Sequence, residues 1–412
     1  MVRKTILQKL LEKLLLISFW LMVFAMPIHN NFWRLFNISL PIQLSEILLM
    51  FFLFMSIVNK TLKLNYDRYD LIGTVWVGFH FLSLLMVGVN KEIIIETAKP
   101  VTLFLLYLSV RGYLGKSKLE DVLKPFILSV FFAALLAVAG WLFNFFEIPN
   151  ILVWQMTDYP YLGTIGRARA FTSTPNMLGS LIMVASFFVV YLFLTTTIIT
   201  QKKRYIKLFV FFMIAFVLAI SKTIVIELAI VILLISLYKK SLSKKMVFFL
   251  RASAALLFIF YLVASHIVVD LNSGDGVKGS QELGYVANGR QYGVMYIAPT
   301  AYTLIKRGSI EIFSENVLLG VGPGRYNQYY KVLQKKGIYN EAISAYDPHC
   351  TLLGAITELG IFAGIVLLVG VIIIFTDLIK KIRMAKNLDE KVLGLVLICL
   401  LIGICMESLV TD

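Results

Sequence analysis

The chain has 412 residues, of which 59% are hydrophobic and 15% charged, with a mean hydropathy of +0.83. This composition excludes a soluble globular protein and a disordered one, and it places the chain among polytopic membrane proteins. The net charge of +15 is accounted for by loop lysines and arginines facing anionic headgroups, so no nucleic-acid partner is required.

Reading apolar runs long enough to cross about 30 Å of hydrocarbon, we predict eleven spans, near 10–28, 41–58, 70–88, 93–110, 122–146, 176–196, 205–220, 223–238, 246–266, 350–376 and 392–410. The N-terminus through Lys13 and the loops at 59–69, 111–124, 201–207, 239–251 and 377–391 hold 25 of the 39 lysines and arginines. The opposite short loops carry only Arg34, Lys91, Lys99, Arg167, Arg169 and Lys222. The positive-inside rule therefore puts the N-terminus in the cytoplasm and, with an odd count, the C-terminus outside. The first run has no small-x-small cleavage site and is expected to remain as an anchor. The expected fold is an all-α membrane protein of about eleven transmembrane helices. Residues 1–412 form a single polytopic domain, with one long extracytoplasmic loop, 267–348, that contains amphipathic helices.

In chain order, the first outer loop, His29 to Leu40, has no Asp or Glu and so no oxygen ligands for a hard cation. Asp67 and Asp70 read as part of a solvated cytoplasmic loop, Glu96 and Lys99 as an i, i+3 ion pair, and His80 as a core residue. In R-A-R-A-F-T-S-T-P-N, Arg167 and Arg169 are two apart, so an extended chain projects both to one side, where two guanidiniums suit a phosphate or an outer headgroup. Lys222 marks the tip of a tight hairpin between two spans. Cys350, Cys399 and Cys405 show no metal-ligand spacing and read as reduced packing residues. The long loop nearly balances its charges. Arg290 opens one amphipathic stretch, through Lys306, and Arg325 and Tyr326 open a second whose aromatics suit sugar rings or a membrane interface. A loop this long is usually a lid or a site.

Around residue 320 stands L-G-V-G-P-G-R-Y, and after a polar stretch comes D-P-H-C-T-L-L-G-A-I-T-E-L-G-I-F-A-G. Gly322 and Gly324 belong to a turn that lacks the Lys-Ser/Thr of a P-loop. Asp347 reads as an N-cap and Pro348 as the first helical position, which places His349 in the first turn as a possible general base.

The ordered set R-x-R-x-F-x-x-x-x-N, S-K, G-R, L-G-V-G-P-G and D-P-H-C…E-L-G-I-F-A-G resembles the O-antigen ligase and polymerase family, bacterial membrane glycosyltransferases of the C type. The resemblance covers the chain in topology and is most specific over 288–364. It implies transfer of a polyprenyl-diphosphate-linked glycan to a lipid- or polymer-linked sugar acceptor, on the outer face of the bacterial plasma (inner) membrane. The transfer would be metal-independent and inverting, with no cofactor. His349 matches the family's histidine and Arg290 its loop arginine. Lys222 stands where the family has arginine, which keeps the charge and loses the bidentate fork. Arg290 and Lys222, aided by Arg167 and Arg169, would bind the diphosphate. Arg325, Tyr326, Gly322 and Gly324 would contact the glycan or shape its loop. The alternative class is a transporter of polysaccharide or lipid-linked glycan, which should place its coupling charges nearer the midplane.

Overall fold

In a computed structural model the chain is described over residues 6–29, 43–88, 91–114, 119–155, 166–221, 223–238, 243–270, 290–292, 295–339, 345 and 347–409. Helices dominate: α1 (Ile6–Ala25), α2 (Leu44–Val58), α3 (Arg68–Val87), α4 (Lys91–Leu114), α5 (Leu119–Phe145), α6 (Pro175–Thr195), α7 (Ile199–Ala219), α8 (Thr223–Tyr238), α9 (Lys244–His266), α10 (Ala301–Glu315), α11 (Tyr326–Lys335), α12 (Thr351–Leu359), α13 (Ile361–Met384) and α14 (Leu388–Ser408). Every predicted span falls on a helix. Among the described residues, seven helices are long and apolar enough to cross a membrane, and α2 and α8 are shorter apolar helices. The chain is a helical protein of the multi-pass membrane type.

Two departures from an all-α chain appear. Strands β1 (Val153–Gln155) and β2 (Gly166–Ala168) pair antiparallel. In the long loop, β3 (Ile267–Asp270), β5 (Met295–Pro299) and β4 (Arg290–Tyr292) form an antiparallel sheet in that order. The runs I-V-V-D and M-Y-I-A carry the β-branched and aromatic residues that favour a pleated surface. Arg290 therefore opens a strand, and the amphipathic helix begins only at Ala301, where Thr300 caps α10 by accepting from the Thr303 N–H. The last predicted span but one is also two helices. Gly360 has φ +87, and a Cβ there would lie 2.0 Å from the Leu318 carbonyl oxygen, so only glycine fits the break between α12 and α13.

The described chain divides into two compact units: Met1–Leu64, Leu105–Glu227 and Ile382–Leu400 in the first, and Asn65–Phe104, Leu228–Lys381 and Leu401–Asp412 in the second. In the first, α5 presents Val130, Ala133, Ala134 and Ala137 on one stripe, and these pack with Ile182 and Ala185 of α6 and with Phe212, Ala215 and Phe216 of α7. Small residues let the helices approach closely where lipid supplies no hydrophobic drive. Phe19 of α1 stacks on Tyr113 at 4.7 Å and meets Phe52 of α2 at 5.5 Å.

In the second unit, Leu304, Ile305 and Ile312 of α10 pack against Tyr326, Tyr330 and Leu333 of α11. A Cβ on Gly308 would lie 2.5 Å from the Tyr330 ring, so glycine sets how closely these helices approach. Asp67 caps α3 through the N–H groups of Tyr69 and Asp70. Asp70 is 0% exposed and accepts from the Asn65 N–H at 2.6 Å, which corrects the reading of this pair as a solvated loop. Asp377 of α13 receives Arg68 and Tyr69. His80 is buried, as read, with Nδ1 3.0 Å from the Trp76 carbonyl oxygen.

Candidate functional site

The glycine turn is fastened to the end of α12. Val321 N–H donates to the Thr357 carbonyl at 2.9 Å, Gly322 N–H to the Glu358 carbonyl at 2.9 Å, and Ile361 N–H to the Val317 carbonyl at 2.9 Å. Gly320, Gly322 and Gly324 all have positive φ. At Gly320 a Cβ would lie 2.3 Å from the carbonyl carbon of Glu358, so a larger residue would separate the two segments. The Glu358 side chain extends the junction by accepting backbone hydrogen bonds from Gly324 and Tyr326, at the start of α11. A carboxylate suits that helix end. Burial nevertheless pushes its carboxyl up to about 7, helped by the neighbouring Glu96 and Asp347 carboxylates and opposed by the two N–H donors.

His349 precedes α12 and does not lie in its first turn. Cys350 occupies the cap position, and His349 has φ +49, a left-handed conformation uncommon outside glycine and asparagine. The reason is the Asp347 side chain: its Oδ1 accepts the His349 N–H at 2.8 Å, closing a turn across Pro348 in place of capping the helix. The same Oδ1 lies 3.3 Å from His349 Nδ1. In the neutral tautomer that places a hydrogen on Nδ1, toward that carboxylate, Nε2 carries the lone pair. Tyr302 of α10 presents an edge-on contact to the imidazole, with ring centroids 4.9 Å apart at 87°. The histidine side chain is 25% exposed. It is thus oriented by an acid, packed by an aromatic ring and open to solvent.

A polar cavity of about 770 Å³ opens beside this turn. Asp347, Pro348, Thr351, Gly354 and Glu358 line one side, Trp76, His80, Glu96 and Lys99 another, and Asn327, Gln328 and Lys331 of α11 a third. Its size is that of a ligand site. Lys99 Nζ meets both Glu96 carboxylate oxygens, at 2.6 and 2.7 Å, which is the ion pair read from the spacing. Among the described residues, no group of three or more His, Cys, Asp or Glu is placed to hold a metal.

In the first unit, Trp154 pairs across the strands with Arg167, and the Arg169 guanidinium lies 5.3 Å from the centre of the Trp154 ring, so both arginines share a face as the spacing implied. Both are nevertheless engaged by the protein. Arg167 Nε donates to the Ala219 carbonyl at 3.0 Å and its terminal nitrogen to Asn176 Oδ1 at 2.8 Å, while Arg169 Nε donates to the Ile151 carbonyl at 3.0 Å. Asn176 also accepts from Ser221 Oγ at 3.3 Å. This network braces Ile220, a β-branched residue at φ +47, immediately before the hairpin tip.

Lys222 at that tip lies outside the described residues, and for Arg290 the description extends only to the backbone. Arg325 is the residue before α11, with its guanidinium 5.7 Å from the Tyr329 ring centre. Tyr326 is corrected: it is 0% exposed, its hydroxyl donates to the Ile305 carbonyl at 2.8 Å, and burial pushes its ionisation up, so it packs the core and offers no sugar platform. Gly322 and Gly324 shape the loop. The sequence reading missed Asp347 as the histidine's side-chain partner, together with Tyr302 and the inward-turned Glu358. The D-P-H spacing carried the first of these signals, since an Asp side chain often bonds the N–H two residues on. No protein-family model and no curated protein matches the chain.

Proposed function

We propose that the chain is a membrane glycosyltransferase of the O-antigen ligase or polymerase type. In this reading it spans the bacterial plasma membrane eleven times with its N-terminus in the cytoplasm. It moves a polyprenyl-diphosphate-linked glycan onto a sugar hydroxyl at the outer face, with inversion and without metal. The supporting observation is the Asp347–His349 contact, with Asp347 lining a polar cavity. A sugar hydroxyl is a poor nucleophile and needs a base in the transition state. As the acceptor oxygen bonds to the anomeric carbon, its proton passes to His349 Nε2. The bond from that carbon to the phosphate oxygen breaks, and the lipid diphosphate leaves with the electron pair. Arg290 and Lys222 are the cations we assign to that developing charge. Arg167 and Arg169 serve mainly to hold the Lys222 turn.

The test is transfer from a purified polyprenyl-diphosphate-linked glycan to lipid- or polymer-linked acceptors by the reconstituted protein, with His349→Asn beside it. Transfer by the native chain and its loss in the variant support the reading; equal rates refute it. One observation favours a transporter instead: Glu227 of α8 is 1% exposed in an apolar helix, and a buried intramembrane carboxyl is a common proton-coupling group. Glycan movement across proteoliposomes that depends on a proton gradient and fails in Glu227→Gln would select that reading.

A further inference from the structure

The cavity lined by Asp347 and Pro348, the two residues before His349, has a charge pattern that discriminates between the two substrates of the proposed reaction. Three carboxylates line it, Glu96, Asp347 and Glu358, against two ammonium groups, Lys99 and Lys331. Lys99 is already held by both oxygens of Glu96. A diphosphate entering this space would meet the Asp347 and Glu96 carboxylates, with Lys331 as the one cation outside the Glu96 pair among the described lining residues, and like charges brought together out of bulk water repel strongly. A sugar meets the opposite circumstances. Its hydroxyls donate to carboxylates, its ring oxygens accept from the Asn327 and Gln328 amides, and its apolar face suits the Trp76 ring.

We infer that this cavity is the acceptor subsite: it holds the sugar whose hydroxyl is activated, in neutral or amino-sugar form, and the donor's diphosphate binds elsewhere. The inference rests on the glycosyl-transfer reading. It adds that Glu358 is a positioning residue, joining the glycine turn to α11 while its carboxyl borders the sugar. The same geometry excludes uronic acids as favoured acceptors, because their carboxylate would face Asp347 and Glu358.

Gly354 gives a direct way to close the cavity. It lies inside α12, and a Cβ there would meet only the Pro348 ring, at 3.9 Å. Leucine is also the better helix former, so Gly354→Leu should fold and project into the space. The probes are methyl β-glucoside, methyl β-glucuronide and methylenediphosphonate, each followed by saturation-transfer NMR on the purified full-length protein. We expect a glucoside signal that falls at least fivefold in Gly354→Leu and persists in excess methylenediphosphonate, with a weaker glucuronide signal. Kinetically, Gly354→Leu should raise the acceptor KM about tenfold and leave the donor KM unchanged. Glu358→Gln, which keeps one oxygen for the two N–H donors, should raise the acceptor KM several-fold. Displacement of the glucoside by the diphosphonate, or a glucoside signal untouched by Gly354→Leu, would overturn the assignment. Sugar binding is read without turnover, so a failure of His349→Asn to slow transfer would refute the enzyme while leaving this measurement to stand on its own.

Discussion

Two regions of the molecule carry charges that the sequence leads one to expect on the base-poor face, and they differ in what those charges touch. The strand pair at 153–168 has two arginines on one face, yet both guanidiniums hold protein carbonyls and an asparagine. The turn at 347–349 has one acid and one imidazole in contact, and the acid borders a cavity of about 770 Å³. The first arrangement fixes a loop; the second leaves an imidazole that is 25% exposed. An expected place outside the membrane therefore does not by itself distinguish a structural charge from one proposed to be functional. The partner of each group does.

The largest effect that separates the regions belongs to His349. Asparagine tolerates the left-handed conformation, so His349→Asn removes the base without adding strain. Base assistance typically contributes 10²–10⁴-fold, and the transfer rate should fall by about that factor while the melting temperature in detergent stays near the native value. Arg167→Ala should do the reverse. A hydrogen bond from a charged group is worth about 1.5–3 kcal/mol, and this arginine makes two that join β2 to the end of α7 and the start of α6. A fall in melting temperature of several degrees is expected, readable by a thiol-reactive dye at Cys399. An Arg167→Ala protein of native stability that has lost diphosphate affinity would erase the contrast drawn above.

A smaller effect is expected at Asp347. Its carboxylate orients the imidazole without touching the acceptor proton, so Asp347→Ala should lower kcat roughly tenfold, on the order of 1.4 kcal/mol, with the donor KM unchanged. Asp347→Asn keeps the oxygen that accepts the His349 N–H and should recover part of the loss. If Asp347→Asn behaves like the native chain, the side chain acts through the turn and not through its charge on the imidazole.

These distinctions follow the line between local and distant information. The apolar runs were readable because length and hydropathy mark a membrane-type helix: ten of the eleven fall on one helix each and the run 350–376 on two. Local rules also gave the Glu96–Lys99 pair and the shared face of Arg167 and Arg169. They failed where a side chain competes with the backbone: Asp-Pro at 347–348 fits a helix start, but the Asp347 oxygen takes the His349 N–H and delays the helix to Thr351. They were silent where contacts join distant segments, as when Gly320 and Gly324 meet Glu358, or when Tyr326 turns its hydroxyl inward to Ile305. The three-stranded sheet of the long loop carries a signal in I-V-V-D and M-Y-I-A that a search for amphipathic helices passes over.

The smallest predicted effect concerns Glu358, and it sharpens the comparison because no group in the strand pair should share it. Burial raises this carboxyl to about 7, against a glutamate's usual value near 4.5, with Glu96 and Asp347 adding to the rise. The folded state therefore binds a proton more tightly than the unfolded one. The stabilisation is fully present below about pH 4.5 and is lost as pH rises through about 7, so this group makes the melting temperature decline across that window. Lys99, Lys331 and His80 line the same cavity. Glu358→Gln removes the titration and keeps the acceptor for Gly324 and Tyr326. The measurement is the melting temperature in detergent every half pH unit from 4.5 to 8, native against variant. The difference between the two should narrow toward low pH and widen in the variant's favour toward pH 8. A difference that does not change with pH would mean that the carboxyl beside the glycine turn is ionised over the whole range and holds α11 as a fixed anion.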